Sequence, residues 1–138
     1  MDFDGLREFT NRENKFMIYN GIAITDMEEG RVTAELTISE NSLNPNAHLH
    51  GGAIFTMADV ASGTLARQDG RQYATECADI HFLRGTVGGK VIAVARLIRR
   101  GRRTCVTQVE ITGEQGALLA VVTTHFSCIG ESYQKARG

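Results

Sequence analysis

The chain has no tryptophan, a single proline at position 45 and only three cysteines in 138 residues. Cys77, Cys105 and Cys128 are odd in number, widely spaced and without a CxxC pair. That argues against a disulfide framework and a thiolate zinc site, and leaves them as small buried hydrophobes in a reducing compartment. A charge of one sign is also lacking: 15 Lys and Arg oppose 16 Asp and Glu for a net charge of -1. No global field therefore favours nucleic acid or an anionic membrane. No apolar run approaches the roughly 20 residues that a membrane-spanning helix needs. The opening MDFDGLREFTNRENK has no apolar stretch of the kind found in secretory signals, so the expected address is cytoplasmic. What the chain does have is 42% hydrophobic and 22% charged residues, a globular mix, in a length that fits one domain over 1–138. Fifteen glycines predict many tight turns.

Leu6, Phe9 and Glu13 predict a helical segment within residues 1–20, with Thr10 and Glu13 as a capping box that restarts it. From Gly21 the pattern alternates: Ile22 and Ile24, then Val32, Ala34, Leu36 and Ile38, separated by Glu28-Glu29-Gly30, read as a hairpin with one wet face. Residues 39–50 form a polar loop leading into Gly51-Gly52. In residues 53–67 the apolar side chains lie all around the helical circumference, as in a buried helix. Four further strands follow, over 73–84, 90–99, 104–112 and 117–129, separated by short turns at Gly88-Gly89, Gly101 and Gly113 to Gly116. Only helix 53–67 is apolar enough to fill the concave face of such an antiparallel sheet. The predicted architecture is α+β, one strongly curved sheet wrapped around one central helix.

Asp59 is the only charged residue between Gly51 and Ala66. A carboxylate in a buried helix either pairs with a hydroxyl or amide, sits on a narrow exposed face, or serves as a base or nucleophile. Gly51 and Gly52 stand where that helix begins, so their N–H groups lack intrahelical partners and could hold a phosphate or a polarised carbonyl. No Gly-Lys-Ser/Thr follows, which disfavours a P-loop. Eight residues separate Gly51 from Asp59, about 12 Å along a helix. One subunit cannot bring both to one small group, so joint action requires a second chain across a two-fold axis. His48 and His50 share a strand-like spacing but no carboxylate or thiolate completes a metal site, and no metal is expected. Arg99, Arg100, Arg102 and Arg103 flank Gly101. They read either as a solvated turn or as a contact for a phosphorylated ligand, with Arg84 a second candidate.

The run from Asn44 through His50-Gly51-Gly52, followed by Phe55-Thr-Met-Ala-Asp59, resembles the signature of hotdog-fold acyl-CoA thioesterases of the phenylacetate-degradation type. The similarity continues through Ile80 to Arg84, Gly89-Lys-Val and the closing strand Val121 to Phe126. The resemblance implies that the Gly51 amide polarises the thioester carbonyl, and that Asn44 and His50 shape that site. Asp59 of a partner subunit would act as base or nucleophile, with Thr75 orienting the water. It also implies a homodimer, or a dimer of dimers, acting on acyl-CoA with no separate cofactor. Gly52, Arg84, Arg100, Arg102 and Arg103 would meet the substrate. Two positions depart from the family pattern: Ala47 stands where many relatives have glycine, and Gly85 replaces a common proline. The competing reading is a non-catalytic acyl-CoA binder or metabolite sensor on the same fold. Ile54, Phe55, Met57 and Ser62 are open between lining an acyl pocket and packing the core.

Overall fold

The computed structural model describes residues 2–131. Helix α1 (Phe3–Glu13) begins at Asp2, whose side chain accepts from the Gly5 N–H. The expected capping box is not formed: the Thr10 hydroxyl donates back to the Leu6 carbonyl inside the helix. The chain restarts at Asn14 instead, whose carboxamide accepts from Met17 N–H and opens the short helix α2 (Lys15–Tyr19). Asn takes this role because its oxygen satisfies an orphan amide of the first turn.

Strands β1 (Ile22–Glu28) and β2 (Arg31–Thr37) form the predicted hairpin, with Gly30 at φ 79 in the turn. After the polar loop comes the central helix α3 (Gly51–Ala66), then β3 (Gln72–Phe82), β4 (Lys90–Arg100), β5 (Thr104–Gly113) and β6 (Leu118–Gly130). The six strands form one antiparallel sheet in the order β1-β2-β4-β5-β6-β3. Gly88-Gly89 therefore does not close a hairpin. Residues 83–89 carry the chain from β3, at one edge, across to β4, beside β2. This is the hotdog arrangement.

Alternation puts Val32, Ala34 and Leu36, Val91, Ala93 and Ala95, and Val109 and Ile111 on the inner face, all fully buried. One row across four strands reads Ala34, Ala93, Ile111, Ala120. These mostly small side chains let α3 lie close to the sheet, so that Met57, Ala61 and Leu65 are fully covered. Burial of Met57 and Leu65 contributes about 1.5–3 kcal/mol each. The second half of α3 is buried all round, as expected, but the first half is not. Gly52, Phe55, Thr56 and Asp59 share one accessible stripe at helical spacing.

The two sheet edges are treated differently. Along β1, the Asn11 side chain of α1 donates to the Ile24 carbonyl and accepts from the Ile24 N–H, 2.9 and 2.8 Å away. Strand β3 pairs only with β6, and among the described residues no strand covers its other edge. That exposure explains a further departure: Cys77, on β3, is exposed, whereas Cys105 is buried and Cys128 half-buried. None of the described helices is long and apolar enough to cross a membrane.

Candidate active site

His50 is the N-cap of α3. Its Nδ1 accepts from the Gly52 N–H at 2.8 Å, which places the ring proton on Nε2. Its own N–H donates to the Ser42 carbonyl at 2.7 Å, tying the helix start to the loop. Of the two glycine amides, that of Gly52 is thus occupied, and Gly51 retains an N–H with no acceptor among the described residues. A Cβ at position 51 would come within 3.2 Å of the Phe82 ring, so this glycine lets the aromatic lie directly over the helix start.

Asn44 organises the loop in front of that amide. Its side-chain oxygen accepts from Asn46 N–H at 2.9 Å and His48 N–H at 3.1 Å, while its own N–H donates to the His48 carbonyl. Such an Asx arrangement closes a tight turn locally. Ala47, inside it, has φ 60, a left-handed conformation that favours glycine. The other departure from the family pattern, Gly85, lies under the imidazole of His48: a Cβ there would meet His48 Cδ2 at 3.0 Å. Asn44, Gly51 and Arg84 line one open cleft of about 670 Å³, joined by Phe82 at the end of β3 and by Leu83 and Gly85 from the crossing to β4. The topology thus brings together three predicted site residues from three separate stretches of chain. Phe82 is a contact the sequence reading missed; its place in the Ile80 to Arg84 run was the available signal.

Asp59 lies two turns along α3, half-buried on the accessible stripe. The Thr75 hydroxyl donates to its Oδ1 at 2.7 Å, and Oδ2 has no donor among the described residues. The carboxylate is therefore held in one orientation with one free oxygen, on the side of the molecule that carries the open β3 edge. Since α3 is continuous from Gly51 to Ala66, Asp59 and the Gly51 amide of one chain stay roughly 12 Å apart.

The arginines divide. Arg100, expected as a substrate contact, instead covers the C-terminus of α3, donating to the carbonyls of Ala66 at 2.8 Å and Leu65 at 3.1 Å. It also reaches the Tyr73 hydroxyl at 3.2 Å and pairs with Asp69 at 2.9 Å. A guanidinium suits this position because it meets both the unpaired carbonyls and the negative end of the helix dipole. The Tyr73 hydroxyl donates to Asp69 Oδ2 at 2.6 Å and accepts from Arg71. Burial works to raise the Asp69 carboxyl, but the hydrogen bonds from Tyr73 and Arg71 and the charge of Arg100 hold it below its ordinary range. Tyr73 is pushed up to about 12, first by burial and then by Asp69. Arg102 and Arg103 are exposed at the neighbouring hairpin tip, so within one subunit they lie at the opposite end of α3 from Gly51. No group of three metal-ligating side chains occurs among the described residues.

Residues 46–120 match the thioesterase superfamily. The chain belongs to the thioesterase superfamily. The matched stretch contains Gly51, Asp59, Thr75 and Arg84, and Asn44 falls just before it. The chain is 31% identical over 102 residues to the acyl-coenzyme A thioesterase PaaI of Escherichia coli K12, an alignment covering 73% of each protein. The structure of the E. coli PaaI protein from the phenylacetic acid degradation operon superposes with a TM-score of 0.81 at 26% identity, covering 92% of this chain and 98% of that one. A Streptococcus mutans protein bound to acetyl CoA superposes with a TM-score of 0.77 at 27% identity, covering 80% and 90%. This thioesterase is a PaaI-like thioester hydrolase of the hotdog fold.

Proposed function

We propose that the protein hydrolyses acyl-CoA thioesters to a carboxylic acid and free CoA, at sites built from two subunits. The observation that carries this reading is the pair of incomplete half-sites. One is the Gly51 N–H at the start of α3 with no acceptor among the described residues. The other is the Asp59 carboxylate, fixed by Thr75 with one oxygen free, beside an open sheet edge. A two-fold axis relating two β3 edges would pair those edges and bring the exposed stripes of the two α3 helices together. A dimer of dimers would repeat such pairs.

In the proposed reaction the thioester oxygen accepts from the Gly51 N–H, where the positive end of the α3 dipole stabilises the charge developing on it. Asp59 of the opposite subunit takes a proton from water, with Thr75 holding the carboxylate in place. The water oxygen bonds to the carbonyl carbon, the C–S bond breaks, and CoA leaves as the thiol with a proton returned by Asp59. Asn44 and His50 shape the site: Asn44 holds the loop, and His50 occupies the Gly52 amide so that Gly51 alone faces the carbonyl. Attack by Asp59 itself, through an anhydride, uses the same groups. Arg84, which lines the large cleft, would meet the anionic part of CoA, and Arg102 and Arg103 would serve only from a neighbouring subunit. No separate cofactor enters the scheme, and a cytoplasmic location accords with a CoA substrate.

The test uses two variants that each disable one half-site. Asp59→Asn removes the base. Gly51→Pro removes the N–H at the first helical position, where proline is accepted and where His50, at ψ 136, already has the extended backbone that precedes proline; because a Cβ here also presses on the Phe82 ring at 3.2 Å, Gly51→Ala, which adds the Cβ and keeps the N–H, is measured beside it as the control. Each disabling variant is expected to lose about 10²–10³-fold or more in kcat by thiol release. Co-expressed in equal amounts, they should recover about a quarter of wild-type turnover, since a mixed dimer regains one intact site. Absence of recovery would contradict the composite site. A non-catalytic binder would instead show CoA-ester binding with no hydrolysis in any of the proteins.

A further inference from the structure

The cleft that holds Gly51 and Arg84 takes part of its lining from the loop before α3, residues 44–49, and part from the crossing between β3 and β4, residues 83–85. The crossing is tied at its ends. The Leu83 and Arg84 N–H groups share the Leu119 carbonyl, at 2.8 and 3.2 Å, and the Gly89 carbonyl accepts from the Ile38 N–H at 3.0 Å. Between those ends the described residues supply one backbone bond, from the Leu49 N–H to the Thr86 carbonyl at 2.8 Å. Arg84 itself is exposed. A long exposed side chain has much rotamer freedom to lose when it meets a ligand, and a support that narrows its directions beforehand lowers that cost.

His48 supplies such a support. Its backbone N–H donates to Asn44 Oδ1 at 3.1 Å, and its Nδ1 stands 2.9 Å from the Asn46 carbonyl oxygen. A carbonyl only accepts, so Nδ1 carries the proton and the ring is fixed from both ends. So held, the imidazole covers the place that a side chain at position 85 would take: a Cβ there would meet Cδ2 at 3.0 Å and Cγ and Nε2 at 3.8 Å. The absence of a Cβ at Gly85 is what lets the ring lie on the backbone next to Arg84. Ala47, just before His48, keeps its left-handed φ of 60, and strain of that kind persists where surrounding contacts over-determine the chain. We propose that His48 is a positioning residue for Arg84. Braced by Asn46 and resting on Gly85, the imidazole holds the first residues of the crossing against the loop and fixes the direction from which the guanidinium reaches the cleft. This rests on the reading that Arg84 meets the anionic part of an acyl-CoA. The groups assigned to the chemistry are held by other contacts, Gly51 through the His50 bond to Ser42 and Asp59 through Thr75. The effect of His48 therefore falls on binding and not on the chemical step.

The test is a double-mutant cycle read by thiol release from acetyl-, phenylacetyl-, hexanoyl- and palmitoyl-CoA, with a melt of each variant to establish that it is folded. On the esters that wild type hydrolyses, His48→Ala should raise KM about fivefold and leave kcat within about twofold. In an Arg84→Met background the same change should move KM less than about twofold, because the group it orients is gone. Gly85→Ala reaches the contact from the other side. Its Cβ displaces the ring, so it should raise KM when His48 is present and have little effect in a His48→Ala background. A His48→Ala variant with the wild-type KM, or a rise of equal size with and without Arg84, overturns the inference and leaves the thioesterase reading standing. If Arg84→Met leaves KM unchanged, the placing of CoA against Arg84 fails and the inference fails with it. A wild-type protein inert towards all four esters would overturn the thioesterase reading and the inference together.

Discussion

Replacing Arg100 by methionine separates an arginine that holds the fold from one proposed to meet substrate. Methionine keeps the unbranched stem and removes the guanidinium, with its bonds to the Ala66 and Leu65 carbonyls and Tyr73 and its pair with Asp69. Hydrogen bonds from a charged donor contribute about 1.5–3 kcal/mol each when the partner is left without another. The side chains of Arg100 and Asp69 are 23% and 19% exposed, so water replaces part of what is lost and the terms do not sum. Loss of favourable charge at the helix end adds about 0.3–1 kcal/mol. A total of about 3 kcal/mol is expected, which for a chain of this length lowers Tm by about 10 °C. Urea unfolding at fixed protein concentration would read the change as a shift in midpoint at constant slope, with KM for an acyl-CoA measured in parallel under conditions where the variant is folded. KM should stay within about twofold, since α3 spans roughly 24 Å and separates Arg100 from Gly51. The reasoning is refuted if Arg100→Met lies within about 1 kcal/mol of wild type, or if it raises KM severalfold without a loss of stability.

Arg84→Met should do the reverse, raising KM for acyl-CoA about 10-fold with stability within about 0.5 kcal/mol, as initial rates and a melt will show. Ala47→Gly should stabilise the protein. Relief of the left-handed alanine contributes about 1–2 kcal/mol and greater freedom of the unfolded chain offsets about 0.4–1 kcal/mol of it. A Tm rise of about 2–3 °C follows, and a fall would show that the loop is not strained there. Tyr73 links stability to alkaline pH. Its folded pKa of about 12 lies above its ordinary value of 10.0, so its contribution is complete below pH 10 and is lost as pH rises towards 12. Tyr73→Phe should therefore flatten the alkaline limb of a pH-stability curve. Asp69 acts in the opposite sense: its lowered carboxyl contributes above the ordinary carboxylate range and is lost as pH falls through its folded value. Asp69→Asn should shallow the acid limb, as chemical denaturation at several pH values will read.

The sequence was most informative where one physical pattern had one structural solution. An apolar run without a stripe could only be a central helix, and α3 is that helix; alternation at Ile22 to Leu36 could only be a hairpin. It was least informative where a local signal fitted two outcomes. Thr10 and Glu13 have capping-box spacing, but the Thr10 hydroxyl satisfies the Leu6 carbonyl inside an unbroken helix, and nothing local distinguishes those bonds. Gly88-Gly89 announces a turn without saying which strands it joins, so the crossing from β3 to β4 emerges only when the sheet is assembled. The arginine cluster shows the same limit. Four guanidiniums look equivalent along the chain, yet a register shift between Leu97 and Arg99 breaks the alternation of β4, turning Arg100 inward to the end of α3 and leaving Arg99 outside.

For the proposed site, Gly51 and Asp59 were legible in the sequence as candidates, together with the reason they cannot meet within one chain. Which glycine amide stays free was decided by a side chain, His50, that the spacing alone could not assign. The same cap explains how a small fold confines its chemistry. By taking up the Gly52 N–H, His50 leaves Gly51 as the glycine amide at the helix start without an acceptor among the described residues, the one the proposed reaction uses. Removing the imidazole should impair the proposed reaction before it harms the fold. His50→Ala loses a side-chain cap at about 1 kcal/mol and frees a second amide, which would let the carbonyl oxygen bind in two registers. The expected result is a lower kcat in thiol release with a single cooperative melt only slightly below that of wild type. A folded variant whose kcat equals that of wild type would mean that occupying the Gly52 amide does not set the register of the carbonyl.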